Sequence, residues 1–168
     1  MILNAGDTIS GQEGKATANI NGQIVDMFYI KTLEATVEKT KEEVRTLGKR
    51  GVQHKTIGWS GTGTMTVYYV TSDFLNMAKN YIKNGVDTYF TLTIENSDPT
   101  STIGKQIVTL SGVNIDNIPI TKLDVEDSVL DCDMDFTFSD IDVIEQFNLP
   151  AVYYIIKEKE QKNGKRFN

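Results

Sequence analysis

The feature that most constrains the fold of this chain is a period-two alternation of side chains. It is clearest in the stretch GTGTMTVYY, residues 61–69, where threonine occupies every second position up to Thr66. Successive side chains of a β-strand point to opposite faces, so the pattern predicts a strand with one polar and one apolar face. The two glycines lack the spacing and the lysine of a phosphate-binding loop. No nucleotide site is expected there.

The same period predicts further strands. Residues 15–30 predict a hairpin, because alternating apolar residues lead into Asn21-Gly22, a strong signal for a type I′ turn. The return strand is expected to run on without a break through IKTLEATVEK, residues 30–39, which has one polar face. Four more strands are predicted at residues 86–95, 105–115, 118–125 and 131–140.

One helix is predicted among these strands. Thr-Ser-Asp at residues 71–73 supplies capping oxygens, apolar residues recur at helical spacing over residues 74–82, and Asn84-Gly85 ends the helix. A short helix with one apolar stripe packs best on a sheet. The fold class expected is therefore mainly β, an antiparallel β-sandwich or barrel with one flanking α-helix.

Residues 39–61 interrupt the strand pattern. The stretch contains four glycines and no sustained periodicity, which predicts a long loop, and loops of this length are usually functional or disordered. Residues 39–55 carry six basic and two acidic side chains, whereas residues 124–142 carry eight acidic and no basic ones. Two opposite patches are either ordinary solvated surface or the basis of head-to-tail self-association.

Catalytic and metal-binding interpretations find little support. The single cysteine, Cys132, alternates with apolar residues and is expected to be buried. Residues 131–135, DCDMD, begin like a calcium-binding loop, but Phe136 stands where that loop needs glycine and Asp142 where it needs glutamate. The acids fit the solvated face of a strand better. We expect no enzymatic activity, no metal and no cofactor.

Composition also argues against nucleic-acid and membrane binding. The net charge is −6, and the basic segment lacks interleaved aromatic residues. The chain contains no apolar window approaching the ~20 residues that span a bilayer, and it does not begin like a secretory signal. We expect a soluble protein without a membrane anchor.

Several stretches, taken in order, resemble the tail tube proteins of contractile phages and of phage-tail-like bacteriocins, including R-type ones, the family of the tube protein of the phage-like particle PBSX. The resemblance runs from about residue 8 to about residue 142. Its longest stretches are IKTLEATVEK (30–39), GTGTMTVYYVTSDF (61–74) and GVDTYFTL (85–92). Residues 1–149 are therefore predicted to be the tail tube domain. Residues 150–168 are predicted to be a flexible C-terminal extension, with residues 151–156 as an extra strand or docking arm.

The resemblance implies a structural subunit. Such subunits join into a six-fold ring, their strands close a continuous β-barrel lumen, and the rings stack into a tube inside a contractile sheath. The implied partners are other copies of the chain, the tail sheath protein, a tape-measure protein in the lumen, a baseplate or tail initiator and, in a phage, DNA in transit. The implied location is the virion tail or a phage-tail-like particle, assembled in the host bacterial cytoplasm.

Two sets of residues are predicted to serve these contacts. Contact between subunits or rings is assigned to residues of the long loop: Lys39, Lys41, Arg45, Lys49, Arg50, His54, Lys55 and Trp59. The lumen is assigned to acids on strand faces, which repel DNA phosphates: Glu34, Glu38, Asp133 and Asp135. One alternative is a monomeric β-barrel binding module that uses loop 39–61 for recognition. Another is the tube of a secretion or bacteriocin machine that conducts no DNA.

Overall fold

The computed structural model describes residues 4–27, 29–126 and 129–148. Short 3-10 helices at Ala5–Asp7 and Gly11–Glu13 precede the first strand. The strands and the helix that follow are β1 (Lys15–Ile20), β2 (Gln23–Asp26), β3 (Ile30–Val44), β4 (Gln53–Tyr68), α1 (Asp73–Asn84), β5 (Phe90–Ser97), β6 (Lys105–Ile115), β7 (Asp131–Phe138) and β8 (Asp140–Glu145). Every strand pair is antiparallel, which confirms the predicted class of a mainly β fold with a flanking helix.

The strands form two sheets that share β6. Sheet A has the order β2-β1-β5-β6-β8, and sheet B has the order β3-β4-β7 with the end of β6 added. β6 changes its pairing from sheet A to sheet B near Gly112. The φ of Gly112, 64°, is favourable only for glycine, and its missing Cβ leaves space for Ser139. Ser139 lies between β7 and β8 and donates its backbone N–H to Ser111 O at 3.0 Å. Both strand transitions therefore occur at one corner of an open sandwich.

The core lies between the two sheets. Leu92 and Leu110 come from sheet A and Met65 and Phe136 from sheet B, and each is at most 3% exposed. Helix α1 covers one side by burying Phe74, which makes an edge-to-face contact with Tyr29 at a centroid distance of 6.2 Å. Burial of Cys132, at 6% exposure, confirms its predicted place in the core.

Local turn chemistry agrees with the sequence predictions. Asn21 and Gly22 have φ of 53° and 85°, as a type I′ turn requires, and they connect β1 to β2. The N–H of Asp73 is bound by Thr71 Oγ1 at 3.2 Å at the start of α1. Gly85 ends the helix in the left-handed region, with its N–H donated to Tyr81 O.

The predicted uninterrupted strand from the hairpin into residues 30–39 is wrong. The chain leaves sheet A after β2, turns so that Ile30 N donates to Met27 O at 3.1 Å, and enters sheet B as β3. Met27 and Tyr29 are both buried at this crossover, at 3% and 6% exposure. Because the bend buries Met27 and Tyr29 in the core, it is favoured over a strand that continues flat in sheet A.

The predicted strand at residues 118–125 is also wrong. The chain there runs beside β7 as irregular backbone held by side chains: Asn117 Oδ1 accepts from Asp135 N and Lys122 Nζ donates to Asp131 O. Pro119 has no N–H to give to a strand ladder.

The sequence did not predict the last strand. The strand predicted to end at residue 140 is followed by a separate strand, β8, which crosses into sheet A.

Two glycines of β4 allow phenylalanine rings of β7 to lie flat on the sheet. A Cβ at Gly61 would collide with the ring of Phe138, and one at Gly63 would collide with the ring of Phe136 and stand 2.7 Å from Glu34 O. The glycines of GTGTMTVYY thus serve close packing. Their predicted place in a strand is confirmed.

Candidate assembly surfaces

The prediction that residues 39–61 form a loop is wrong, because most of the stretch is a β-hairpin. β3 and β4 remain paired from Ile30↔Val67 out to Val44↔Gln53, and only residues 45–52 form the turn. β7 ends beside Gly61, so residues 38–60 pair only with one another. We call residues 38–60 the arm. It projects past the core by seven residue rows, about 23 Å at ~3.3 Å per residue.

All eight residues predicted for contacts between subunits lie on this arm. Its residues are exposed, apart from the partly buried Gly58. Its strands place opposite charges across from each other, as in Glu42↔Lys55, and Arg45 lies 3.7 Å from Glu43. An isolated two-stranded ribbon is marginal in water. In the alternative of a monomeric binding module that uses residues 39–61, recognition would fall to this paired ribbon and its turn.

Trp59 anchors the base of the arm. Its ring lies 6.3 Å from that of Phe138, which is itself 6% exposed, so Trp59 continues the core outward while remaining 47% exposed. A pocket of about 300 Å³ opens beside it, with Val37 and Ile141 among its lining residues. These two half-exposed apolar residues were missed in the sequence, because nothing local reveals that β3 and β8 face each other across an open sandwich.

The four residues predicted to face a lumen lie on one face of sheet B. Glu34 and Asp135 are both paired with Thr64, and Asp133 is paired with Thr66 in the next row. Glu38 is opposite Ser60 in the same alternation. We call this surface of β3, β4 and β7 the polar face; its opposite surface is the core. Thr66 Oγ1 donates to Asp133 Oδ1 at 2.7 Å, so side chains join β4 to β7 within this row.

Charge on the polar face is partly balanced at one end. Lys31 Nζ binds Asp131 Oδ2 at 2.9 Å, and Lys122 Nζ lies 3.6 Å from the other carboxylate oxygen. The hydrogen bond from Lys31 lowers the pKa of Asp131 below its usual range, and the same bond raises the pKa of Lys31. Further along the face, the acids are set among threonines.

Three strand edges are free within the described chain. β2 pairs only with β1, β8 only with β6, and β3, with 15 residues, only with β4. A long exposed edge presents unpaired backbone donors and acceptors, which natural proteins cover or pair. The edge of β3 is therefore a surface ready to add a strand from another chain.

Two structural observations bear on other functions. Over residues 4–27, 29–126 and 129–148, no three His, Cys, Asp or Glu side chains are grouped so that they could hold a metal ion. In the same ranges, no helix has the length and apolar character needed to cross a bilayer.

Comparisons with known proteins identify the family. Residues 1–145 match a family described as phage tail tube protein. The chain is 45% identical to the phage-like element PBSX protein XkdM of Bacillus subtilis (strain 168), over 88% of this chain and 98% of that protein. It is 47% identical to YqbM of the same strain, over 87% of this chain and 97% of that protein.

A solved structure shares the fold. A chain of the anti-feeding prophage baseplate, solved with six-fold symmetry, superposes with a TM-score of 0.62 at 14% identity, covering 86% of this chain and 97% of that one. The predicted extension at 150–168 lies outside both the described residues and the family match, and it stays a prediction. The resemblance seen in the sequence is confirmed, and the chain belongs to the phage tail tube protein family.

Proposed function

We propose that this chain is the subunit of the inner tail tube of a contractile phage or phage-tail-like particle, in which rings of subunits stack around a channel. The observation that carries the proposal is the polar face of sheet B. One side of β3, β4 and β7 is core, and the other bears rows of threonine and acidic side chains such as Glu34–Thr64–Asp135. A sheet that is wet on one side suits the wall of a water-filled barrel.

Ring closure follows from the free edge of β3. Its 15 residues extend for about 50 Å at ~3.3 Å per residue, longer than typical edge strands. Pairing this edge with a neighbouring copy satisfies its backbone groups, and repeating the contact around a ring leaves no β3 edge unpaired. A ring of six subunits is the closed form that the family resemblance implies.

The acids of the polar face have a role in this arrangement. Glu34, Glu38, Asp133 and Asp135 line the channel and repel the phosphates of DNA, so that DNA passes without adhering. In a bacteriocin or secretion machine the same surface faces solvent and the tape-measure protein.

The arm contacts the neighbouring ring or subunit. Because it projects about 23 Å beyond the core, it reaches past the body of its own subunit. The tail sheath on the outside of the tube, a tape-measure protein in the lumen and a tail initiator complete the set of partners. The assembled location is the tail of a particle built in the bacterial cytoplasm.

Electron microscopy of the purified, concentrated protein tests the tube. We expect rings or hollow tubes in negative stain, and a mass of many subunits by light scattering on the same sample. A tail initiator complex should increase their number. Protein that stays monomeric at every concentration, with the initiator complex present as well, would overturn the proposal.

Deletion of the arm tests its contact. Replacing residues 41–57 by Asn-Gly joins the paired Thr40 and Gly58 through a two-residue turn. We expect a folded subunit, shown by an unchanged circular dichroism spectrum and cooperative unfolding, that no longer stacks into tubes. Normal tubes from this variant would show that the arm is dispensable for stacking.

A cryo-electron microscopy map of the tube tests the lumen. We expect the polar face of β3, β4 and β7 at the channel wall, with Glu34 and Asp135 toward the axis. A channel lined by other strands, or by neutral or basic side chains, would refute the assignment while leaving the tube itself intact.

A further inference from the structure

We propose that the turn of the arm, residues 45–52, binds a specific surface at the opposite end of sheet B on a second copy of this chain. This surface consists of Tyr69, Val70 and residues 123–126, and we call it the acidic end; residues 45–52 are the arm tip. The inference rests on the proposed stacking of subunits and names the two surfaces that meet.

The arm tip is both apolar and basic. Leu47 is completely exposed, and Val52 beside it is 43% exposed. The same turn carries three cations, namely Arg45, Lys49 and Arg50. Within the described residues, Leu47 at the end of a projecting ribbon has nothing to pack against. It gains free energy only when another surface covers it.

The acidic end is apolar and acidic. Leu123 and Val125 are 95% and 97% exposed, and they alternate with Asp124 and Glu126. Asp124 Oδ1 accepts the N–H of Glu126 at 3.0 Å, which gives the short segment a defined turn. Val70, 66% exposed, extends the apolar surface.

A pocket lies at the same end of the molecule. It has a volume of about 210 Å³, and Tyr69, Val70, Leu75 and Pro119 are among its lining residues. Tyr69 N donates to Leu130 O at 3.0 Å, and Lys122 Nζ donates to Asp131 O at 3.0 Å. Lys122 and Leu130, which flank the acidic segment in the chain, therefore both lie at the last row of sheet B, next to this pocket. The space is sufficient for one leucine side chain.

Geometry excludes contact within one chain. The arm tip follows the Val44↔Gln53 pair, whereas the acidic end lies past the Tyr68↔Asp131 pair. β4, with 16 residues, separates them by about 50 Å at ~3.3 Å per residue. The two surfaces meet only between copies, and a contact between unlike ends that does not close builds a filament.

The two surfaces complement each other in both chemistry and charge. Apolar side chains on each side supply the buried area, and three cations face two carboxylates. Exposed ion pairs contribute little affinity, but they select the partner surface and exclude contacts between like ends. Two arm tips, or two acidic ends, would repel each other, so the charges also set the direction of stacking.

Charge reversal tests the contact. The acidic-end variant Asp124→Lys with Glu126→Lys, and the arm-tip variant Arg45→Glu with Lys49→Glu and Arg50→Glu, should each lower tube yield at least tenfold in electron micrographs. Combining all five substitutions in one chain should restore it. The control Glu13→Lys with Asp26→Lys reverses two exposed acids elsewhere and should leave the yield unchanged. Full yield from either reversed variant, or no recovery in the combined one, would overturn the inference.

Cysteine cross-linking is an independent readout that does not require assembly to fail. In the variant Leu47→Cys with Val125→Cys, oxidation should give a ladder of covalent oligomers, and neither single variant should give one, since the native Cys132 is buried. Tubes that form without a ladder would overturn this inference alone. Absence of tubes from the unmodified protein, even with the initiator complex, would overturn the proposed function and this inference with it.

Discussion

The two halves of the β3–β4 hairpin are continuous in hydrogen bonding but differ in what supports them. In the inner half, β4 lies between β3 and β7, and residues such as Met65 are buried in the core. In the outer half, the arm, each strand has one neighbour and nearly every side chain is exposed. Folding of the subunit therefore depends on the inner half, and the outer half is free to serve other copies.

The largest expected effect is loss of an aromatic ring in the inner half. Phe136→Ala should lower the free energy of unfolding by about 3–5 kcal/mol, because the ring is completely buried and leaves a cavity. Trp59→Ala, at the base of the arm, should cost about 1–2 kcal/mol, because half of its surface is already in water. Urea unfolding of the monomeric protein measures both. Equal losses would contradict the division of the hairpin into two halves.

A smaller difference is expected for glycines of the same strand. Gly63→Ala should destabilise the protein by about 1–3 kcal/mol, because the added Cβ meets Phe136 and a backbone oxygen. Gly58→Ala on the arm should change stability by no more than about 0.5 kcal/mol, because nothing lies within 4 Å of its Cβ position. The midpoint of urea unfolding distinguishes the two, and a neutral Gly63→Ala would show that the ring packing is loose.

The smallest expected effect concerns pH. Because the pKa of Asp131 is lowered in the folded state, its contribution is complete above its unfolded value of ~3.9 and is lost as pH falls through the folded pKa. The raised pKa of Lys31 gives a contribution that is present below ~10.4 and is lost at higher pH. Asp131→Asn should therefore lower the Tm at pH 7. On going from pH 7 to acidic pH, the Tm of this variant should fall by less than the Tm of the parent protein.

The arm supplies the control for this pH experiment. Glu43 lies 3.7 Å from Arg45, and both are largely exposed, so Glu43→Gln should leave the Tm of the monomer unchanged at every pH. Thermal unfolding followed by circular dichroism gives the comparison. A Tm of Asp131→Asn that follows the parent protein at all pH values would show that the ion pair with Lys31 contributes nothing.

The arm also shows where sequence patterns fail. Periodicity identifies a strand by the burial of one of its faces, and the arm buries neither face, so its sequence looks like a loop. Its residues pair because the inner half fixes the register. In contrast, the Asn21-Gly22 turn and the hydrogen bond from Asp73 N to Thr71 Oγ1 at the start of α1 were predictable, because both depend on neighbouring residues alone.

The polar face was predictable only in part, because alternation shows which residues of one strand share a face but not which strands are neighbours. Alternation placed Glu34 with Glu38, and Asp133 with Asp135, but only the pairing of both strands with β4 shows that the two sets share a face. Residues 118–125 alternate just as clearly and form no strand, because Asn117 and Lys122 tie them to β7 by side chains. Sequence alone does not reveal which backbone groups are already occupied.

The order of the strands in sheet B has a consequence for biosynthesis. β4 ends at Tyr68 and pairs with β7, which begins at Asp131, so the sheet joins segments separated by 62 residues of chain. Pairing over such distances is slow, and it requires the later strand to be present. The acidic and threonine-rich surface is therefore incomplete on a ribosome until almost the whole described chain has emerged. Any contact made through this surface therefore requires a chain that has been synthesised at least through Phe138.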